Sequence, residues 1–127
     1  MKHQNISFRV YDNQAKEYNG NKEVLLGSDN KIYRIHTITG ELQQLKPEAL
    51  EVEFYTGFKD KNGNKIYEGD IVKIENSVSI GVIEFSLGIG SCVRYCSKLT
   101  SLGALQPYIE KIIGNIHENP ELLEIVK

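Results

Sequence analysis

The stretch Tyr55-Thr56-Gly57-Phe58-Lys59-Asp60-Lys61-Asn62-Gly63-Asn64-Lys65-Ile66-Tyr67-Glu68-Gly69-Asp70-Ile71-Val72, followed shortly by Gly81-Val82-Ile83-Glu84-Phe85, decides the fold class. Residues 52–55 read as extended. Asn62-Gly63 is the preferred pair of a type I′ hairpin turn. Residues 70–75 read as a strand with Ile71 or Val72 facing inward, and residues 80–85 as its partner, joined across 76–79. Gly69 lets the chain turn into one strand and Gly81 lets the next coil around it. This is the pattern of a small, strongly bent, SH3-like β-barrel.

The reading extends to both sides. Downstream, Leu87-Gly88-Ile89-Gly90 reads as a turn and residues 91–96 as a strand. Residues 98–106 read as a loop with one turn of helix. A last strand follows over 109–116, interrupted by Gly114. Asn119-Pro120-Glu121 reads as a helix start: Asn caps the free amides, Pro takes the first helical position, and an acid sits at the positive end of the dipole. Leu122, Leu123, Ile125 and Val126 would dock this short helix on the barrel, or offer it to a partner. Upstream, Ile6, Phe8 and Val10 alternate with Ser7, Arg9 and Tyr11 as a half-buried strand. Turns follow at Asp12-Asn13-Gln14, Asn19-Gly20 and Ser28-Asp29-Asn30. Strands are predicted over 23–26 and 31–38, and Thr39-Gly40 turns the chain back along 41–45. Pro47 breaks the pattern and excludes a central strand over 46–50. The expectation is a mainly β chain, with a hairpin-rich lobe over 1–50, a β-barrel over 51–127 centred on 55–116, and one short C-terminal helix.

Composition bounds the function. The chain has 127 residues, 40% hydrophobic, 25% charged and 9% aromatic, with a formal net charge of −2. This is enough for one domain or two small lobes with a real core, and it is the composition of a globular protein rather than a disordered one. No apolar run approaches a membrane span, and the polar start Met1-Lys2-His3-Gln4-Asn5 does not read as a secretion signal. A pI near 5.9 argues against a polycation.

Several kinds of chemistry find no support. Cys92 and Cys96 fall on one predicted strand, about 13 Å apart at about 3.3 Å per residue. A disulfide needs Cα atoms within about 7 Å. Both read as small buried hydrophobes in a reducing compartment. His3, His36 and His117 are scattered without metal-ligand spacing. No nucleophile elbow, P-loop or complete dinucleotide fingerprint occurs. No catalytic, cofactor or metal residue is therefore assigned.

Three segments together resemble the YopX family of phage and prophage proteins: Phe8-Arg9-Val10-Tyr11-Asp12; the block from Tyr55 to Val72 with Gly81-Val82-Ile83-Glu84-Phe85; and Ile113-Gly114-Asn115-Ile116-His117-Glu118-Asn119-Pro120-Glu121-Leu122-Leu123. The family usually carries an aromatic, often Trp, where Tyr11 sits. Residues 13–50 are less typical. The resemblance implies a small, mainly β protein of the bacterial cytoplasm, encoded by a phage or integrated element. It implies no enzyme activity and carries no functional residues over.

Three sets of residues invite a functional reading, each against a plainer one. Glu68 and Asp70 flank Gly69 as a carboxylate pair, which acid–base catalysis would place in a pocket. The plainer reading has Asp70 bonding turn amides and Glu68 solvated. Lys59, Lys61, Lys65, Lys73 and Arg94, with Tyr55, Phe58 and Tyr67, would make a basic, base-stacking face for nucleic acid if the fold separates them from Asp60, Glu68, Asp70 and Glu75. Otherwise they form a mixed surface over core aromatics. Arg9, Arg34 and Arg94 lie on predicted strands, where arginine more often covers a face with its stem than grips a carboxylate. The expected function is a non-catalytic module binding a host or phage protein. The alternatives are a nucleic-acid-binding barrel face and an unrecognised enzyme. Open β edges leave self-association open as well.

Overall fold

The structure is a computed structural model that describes residues 8–18, 24–26, 32–35, 39–44, 50–75 and 79–126. Ile6, the Asn19-Gly20 and Ser28-Asp29-Asn30 turns, residues 46–49 and residues 76–78 lie outside this range. The fold is mainly β, as the alternating pattern and recurrent turn residues lead one to expect. It divides into two compact units, Phe8–Glu53 and one containing Phe54–Lys127.

In the first unit, β1 (Phe8–Asp12) pairs antiparallel with β2 (Glu17–Tyr18), Tyr11 facing Tyr18. The turn between them forms because the Asp12 carboxylate accepts the amides of Gln14 and Ala15 at 2.9 and 3.1 Å. Strands β3 (Val24–Leu26), β4 (Ile32–Ile35) and β5 (Leu42–Gln44) form a separate three-stranded antiparallel sheet, and β4 and β5 flank the Thr39-Gly40 turn. The first residues of β6 (Leu50–Lys59) carry Glu53, which is 6% exposed. Arg9 donates to the Glu53 carboxylate at 2.8 Å, the Tyr18 hydroxyl donates to the same carboxylate oxygen at 2.9 Å, and the Arg9 guanidinium lies over the Tyr18 ring. Charge-assisted bonds of this kind make burial of the carboxylate tolerable.

In the second unit, the far part of β6 pairs with β7 (Lys65–Tyr67). A curled five-stranded antiparallel sheet follows, in the order β11 (Lys98–Ser101), β10 (Gly90–Tyr95), β9 (Ile80–Ser86), β8 (Asp70–Ile74), β12 (Ile109–Asn115). This is the small barrel-like sheet expected from the central block. The sequence left open whether Ile71 or Val72 faces inward; both are fully buried. Strand β8 is central, so each of its faces has its own core. Val72 packs with Ile66, Ile83, Val93, Leu102 and Ile109. Ile71 packs with Val82 and Val126 on the opposite side, joined by Leu122 and Leu123. The C-terminal apolar cluster therefore docks on the sheet. Gly81 is required by close approach: a Cβ there would stand 2.4 Å from Val93 Cγ1 across the β9–β10 pair.

Four local readings change. The Asn62-Gly63 loop is not a type I′ turn, because only Gly63 has a positive φ (83°). The buried Asp60 carboxylate takes the amides of Asn62 and Asn64 at 2.9 and 2.8 Å instead, and Gly63 N–H donates to the Asp60 carbonyl at 3.1 Å. The strand expected to run to Cys96 ends at Tyr95. Cys96 (φ 48°) and Ser97 (φ 61°) form a two-residue hairpin turn, which leaves Cys96 exposed while Cys92 is buried. The stretch read as irregular supplies β11 before its single helical turn α1 (Leu102–Leu105). The chain ends in a 3₁₀ turn over Pro120–Leu122 and α2 (Leu123–Val126), but Asn119 does not cap it. Its side-chain oxygen accepts the Asn115 amide at 3.3 Å, closing the turn after β12 instead.

The Cys96-Ser97 turn carries a testable cost. Each non-glycine residue in the left-handed region gives up about 1–2 kcal/mol. The double change Cys96→Asn with Ser97→Gly supplies the residues this turn favours. It is expected to stabilise the protein by about 1–2 kcal/mol, read as a rise in the denaturant midpoint at unchanged m-value.

Candidate functional site

The β6–β7 hairpin brings part of the expected aromatic and basic set together. Tyr55 stands opposite Tyr67 with ring centroids 5.6 Å apart, and Lys65 Nζ lies 5.2 Å from the Tyr55 ring centre. Lys59 faces Lys65 across the strand pair, and both are exposed. Neither has a carboxylate partner among the described residues.

The remaining cations are tied down. Lys61 pairs with Glu75, Lys73 reaches Glu110 at 3.3 Å, and Arg94 grips Glu84 through two bonds of 2.7 and 3.3 Å. Phe58 is not a stacking platform; it packs against the Val72 core. The eight-residue face read from the sequence thus contracts to Tyr55, Tyr67, Lys59 and Lys65, with the other charges neutralised across strands. Arg9 and Arg94 grip carboxylates rather than merely covering a strand, because cross-strand register sets an acid within reach of each. The Arg34 side chain lies outside the described residues.

The carboxylates have structural partners. Asp70, 2% exposed, accepts the Tyr67 amide at 2.8 Å. Glu68 accepts the Phe54 amide at 3.3 Å and is half-buried rather than solvated. Asp60 also accepts the Asn64 side-chain amide and the distant Ile112 amide, each at 3.3 Å. Burial works to raise its pKa, but these hydrogen bonds outweigh it and hold the carboxyl below its ordinary value of 3.8. At Cys92, burial and then the Glu84 charge push the thiol up, away from the reactive thiolate.

The end of the β9–β10 hairpin lies outside the residue sets that the sequence singles out for function. Phe85, Leu87 and Ile89 are 60%, 91% and 48% exposed on a turn closed by an Ile89 amide to Ser86 carbonyl bond of 3.2 Å. No charged residue occurs from 85 to 93. The signal was in the sequence, since Leu87-Gly88-Ile89-Gly90 is an unusually apolar turn. Away from this tip, toward the other end of the β9–β10 pair, Val82, Leu123 and Val126, with Glu84, Arg94 and Ser97, line a cavity of about 400 Å³.

These features define a class first: a small barrel-like β protein with an apolar hairpin end and a short Tyr/Lys strip. Residues 7–124 match the model of the family described as YopX protein, and the chain belongs to that family. Among solved structures, it is similar to protein yopX from Bacillus subtilis, with 22% identity and a TM-score of 0.64 over 91% of this chain and 95% of that one. It is also similar to protein EF1440 from Enterococcus faecalis, with 26% identity and a TM-score of 0.64 over 95% of this chain and 99% of that one. No curated protein matches the chain. Among the described residues, no helix is long and apolar enough to cross a membrane.

Proposed function

We propose that this protein is a non-catalytic protein-binding module, an accessory protein of a phage or prophage acting in the bacterial cytoplasm. The observation that carries the reading is the exposed apolar hairpin end of Phe85, Leu87 and Ile89. Clustered large apolar side chains at a solvent-facing tip are costly to expose and mark contact surfaces. A host or phage protein with an apolar groove fits this tip.

The test is capture from bacterial lysate by the tagged protein and by Leu87→Asp, with and without nuclease. At a position this exposed the change should alter stability by no more than about 0.5 kcal/mol. A discrete protein that survives nuclease and is lost with Leu87→Asp is the expected result. Equal recovery by both proteins removes the tip from the reading.

The Tyr55–Tyr67 pair with unbridged Lys59 and Lys65 supports a second reading, a single-stranded nucleic-acid strip. Stacking contributes about 1–3 kcal/mol per base. Anisotropy of a labelled single-stranded oligonucleotide should then show binding that weakens with salt, and by about tenfold or more in Tyr55→Ala/Tyr67→Ala. Binding that ignores both changes sinks this reading.

A further inference from the structure

The Asn62-Gly63 pair lies outside both proposed surfaces. Asn62 is exposed, and its side-chain amide makes no hydrogen bond among the described residues. The asparagines nearest in setting differ. Asn64 donates its amide to Asp60, Asn115 donates its own to Glu118, and Asn119 Oδ1 accepts from the Asn115 amide. Asn13 is exposed but precedes Gln14. Only Asn62, among the described asparagines, joins a free side chain to a following glycine, whose missing Cβ leaves its nitrogen unobstructed.

We propose that Asn62 is a site of spontaneous deamidation and that its conversion opens the Asp60 loop. The Gly63 nitrogen attacks the Asn62 side-chain carbonyl carbon. A C–N bond forms, the bond to the side-chain nitrogen breaks, and ammonia leaves with the proton from the Gly63 amide. Water then opens the five-membered imide at either carbonyl, giving aspartate or isoaspartate at position 62. No oxidant or cofactor takes part. Ring closure gives up the bond from Gly63 N–H to the Asp60 carbonyl, so opening of this loop governs the rate.

The product matters because of where it forms. The amides of residues 62 and 64 converge on one oxygen of Asp60. Isoaspartate inserts a methylene into the main chain between them, so both can no longer meet that oxygen. Aspartate adds a negative charge two residues from a buried carboxylate. The other Asp60 oxygen holds the Ile112 amide, so disturbance of the loop reaches β12.

The test incubates the intact folded protein in mildly alkaline buffer and maps the peptide carrying residue 62 by mass spectrometry, with an isoaspartate-specific assay. The Asn19-Gly20 peptide is scored separately. Hydrogen exchange at Ile112 is followed on the same samples. The expected result is loss of the amide at position 62, a larger isoaspartate than aspartate fraction, and loss of Ile112 protection in step with it. Asn62→Gln, which keeps an exposed amide at this position, should show neither change. Persistence of the Asn62 amide in folded protein, under conditions where denatured protein converts, overturns the proposal. So does full conversion with Ile112 protection unchanged.

Discussion

Asp60→Ala is expected to cost about 3 kcal/mol, because it leaves the amides of Asn62, Asn64 and Ile112 without their acceptor and each such loss costs about 1–3 kcal/mol when water cannot replace it. The two loop amides recover part of this by hydration, whereas the half-buried β12 position recovers less. A domain of this size has only about 5–15 kcal/mol in total, so the change should be plain in urea denaturation. Asp60→Asn is the informative companion: it keeps one acceptor oxygen but turns an NH₂ donor toward other donors, and should fall between wild type and alanine. The pH dependence has a fixed sign. The folded-state value lies below the ordinary 3.8, so the contribution is fully present above the unfolded value and is lost as pH falls through the folded one. Wild type should therefore lose stability below about pH 4 more steeply than Asp60→Asn. Parallel acid limbs in the two proteins would show that Asp60 is not the group responsible.

Leu102→Ala is expected to cost about 3–5 kcal/mol, the range for removing a fully enclosed leucine whose cavity cannot collapse. Leu102 is 0% exposed and packs with Ile66, Val72, Ile83, Val93 and Ile109, side chains from five different strands. Strand walls of this kind relax little around a void. The measurement is the denaturation midpoint, with Leu102→Met as a volume-conserving control expected to cost less than about 1.5 kcal/mol. A loss from Leu102→Ala no larger than that of the control would mean that α1 is not part of the barrel core.

What short windows of sequence determined is what neighbouring residues decide among themselves. Alternation marked β1, and short β-branched apolar runs after Gly69 and around Gly81 marked β8 and β9. Asp12 fixed its turn through amides two and three residues away. Gly81 marked the place where β9 and β10 approach too closely for a side chain, and the C-terminal leucines and valine announced a docked end. The family was legible for the same reason, since its segments are runs of such local choices.

What the tertiary structure decided depends on register and on partners far along the chain. Asp60 meets Ile112 across 52 positions, and no window around Asn62-Gly63 contains that bond, so local sequence points only to the commonest turn geometry. The irregular composition around Leu102 concealed a core residue because burial is set by the strands that close over it. The basic face shrank because cross-strand register set Glu84 beside Arg94, while Lys73 reached Glu110 and Lys61 reached Glu75. Charges interleaved in sequence separate, or cancel, only when strands are laid side by side. Pairing is a property of the assembled sheet, and with it comes the choice of which few side chains remain free to meet a partner.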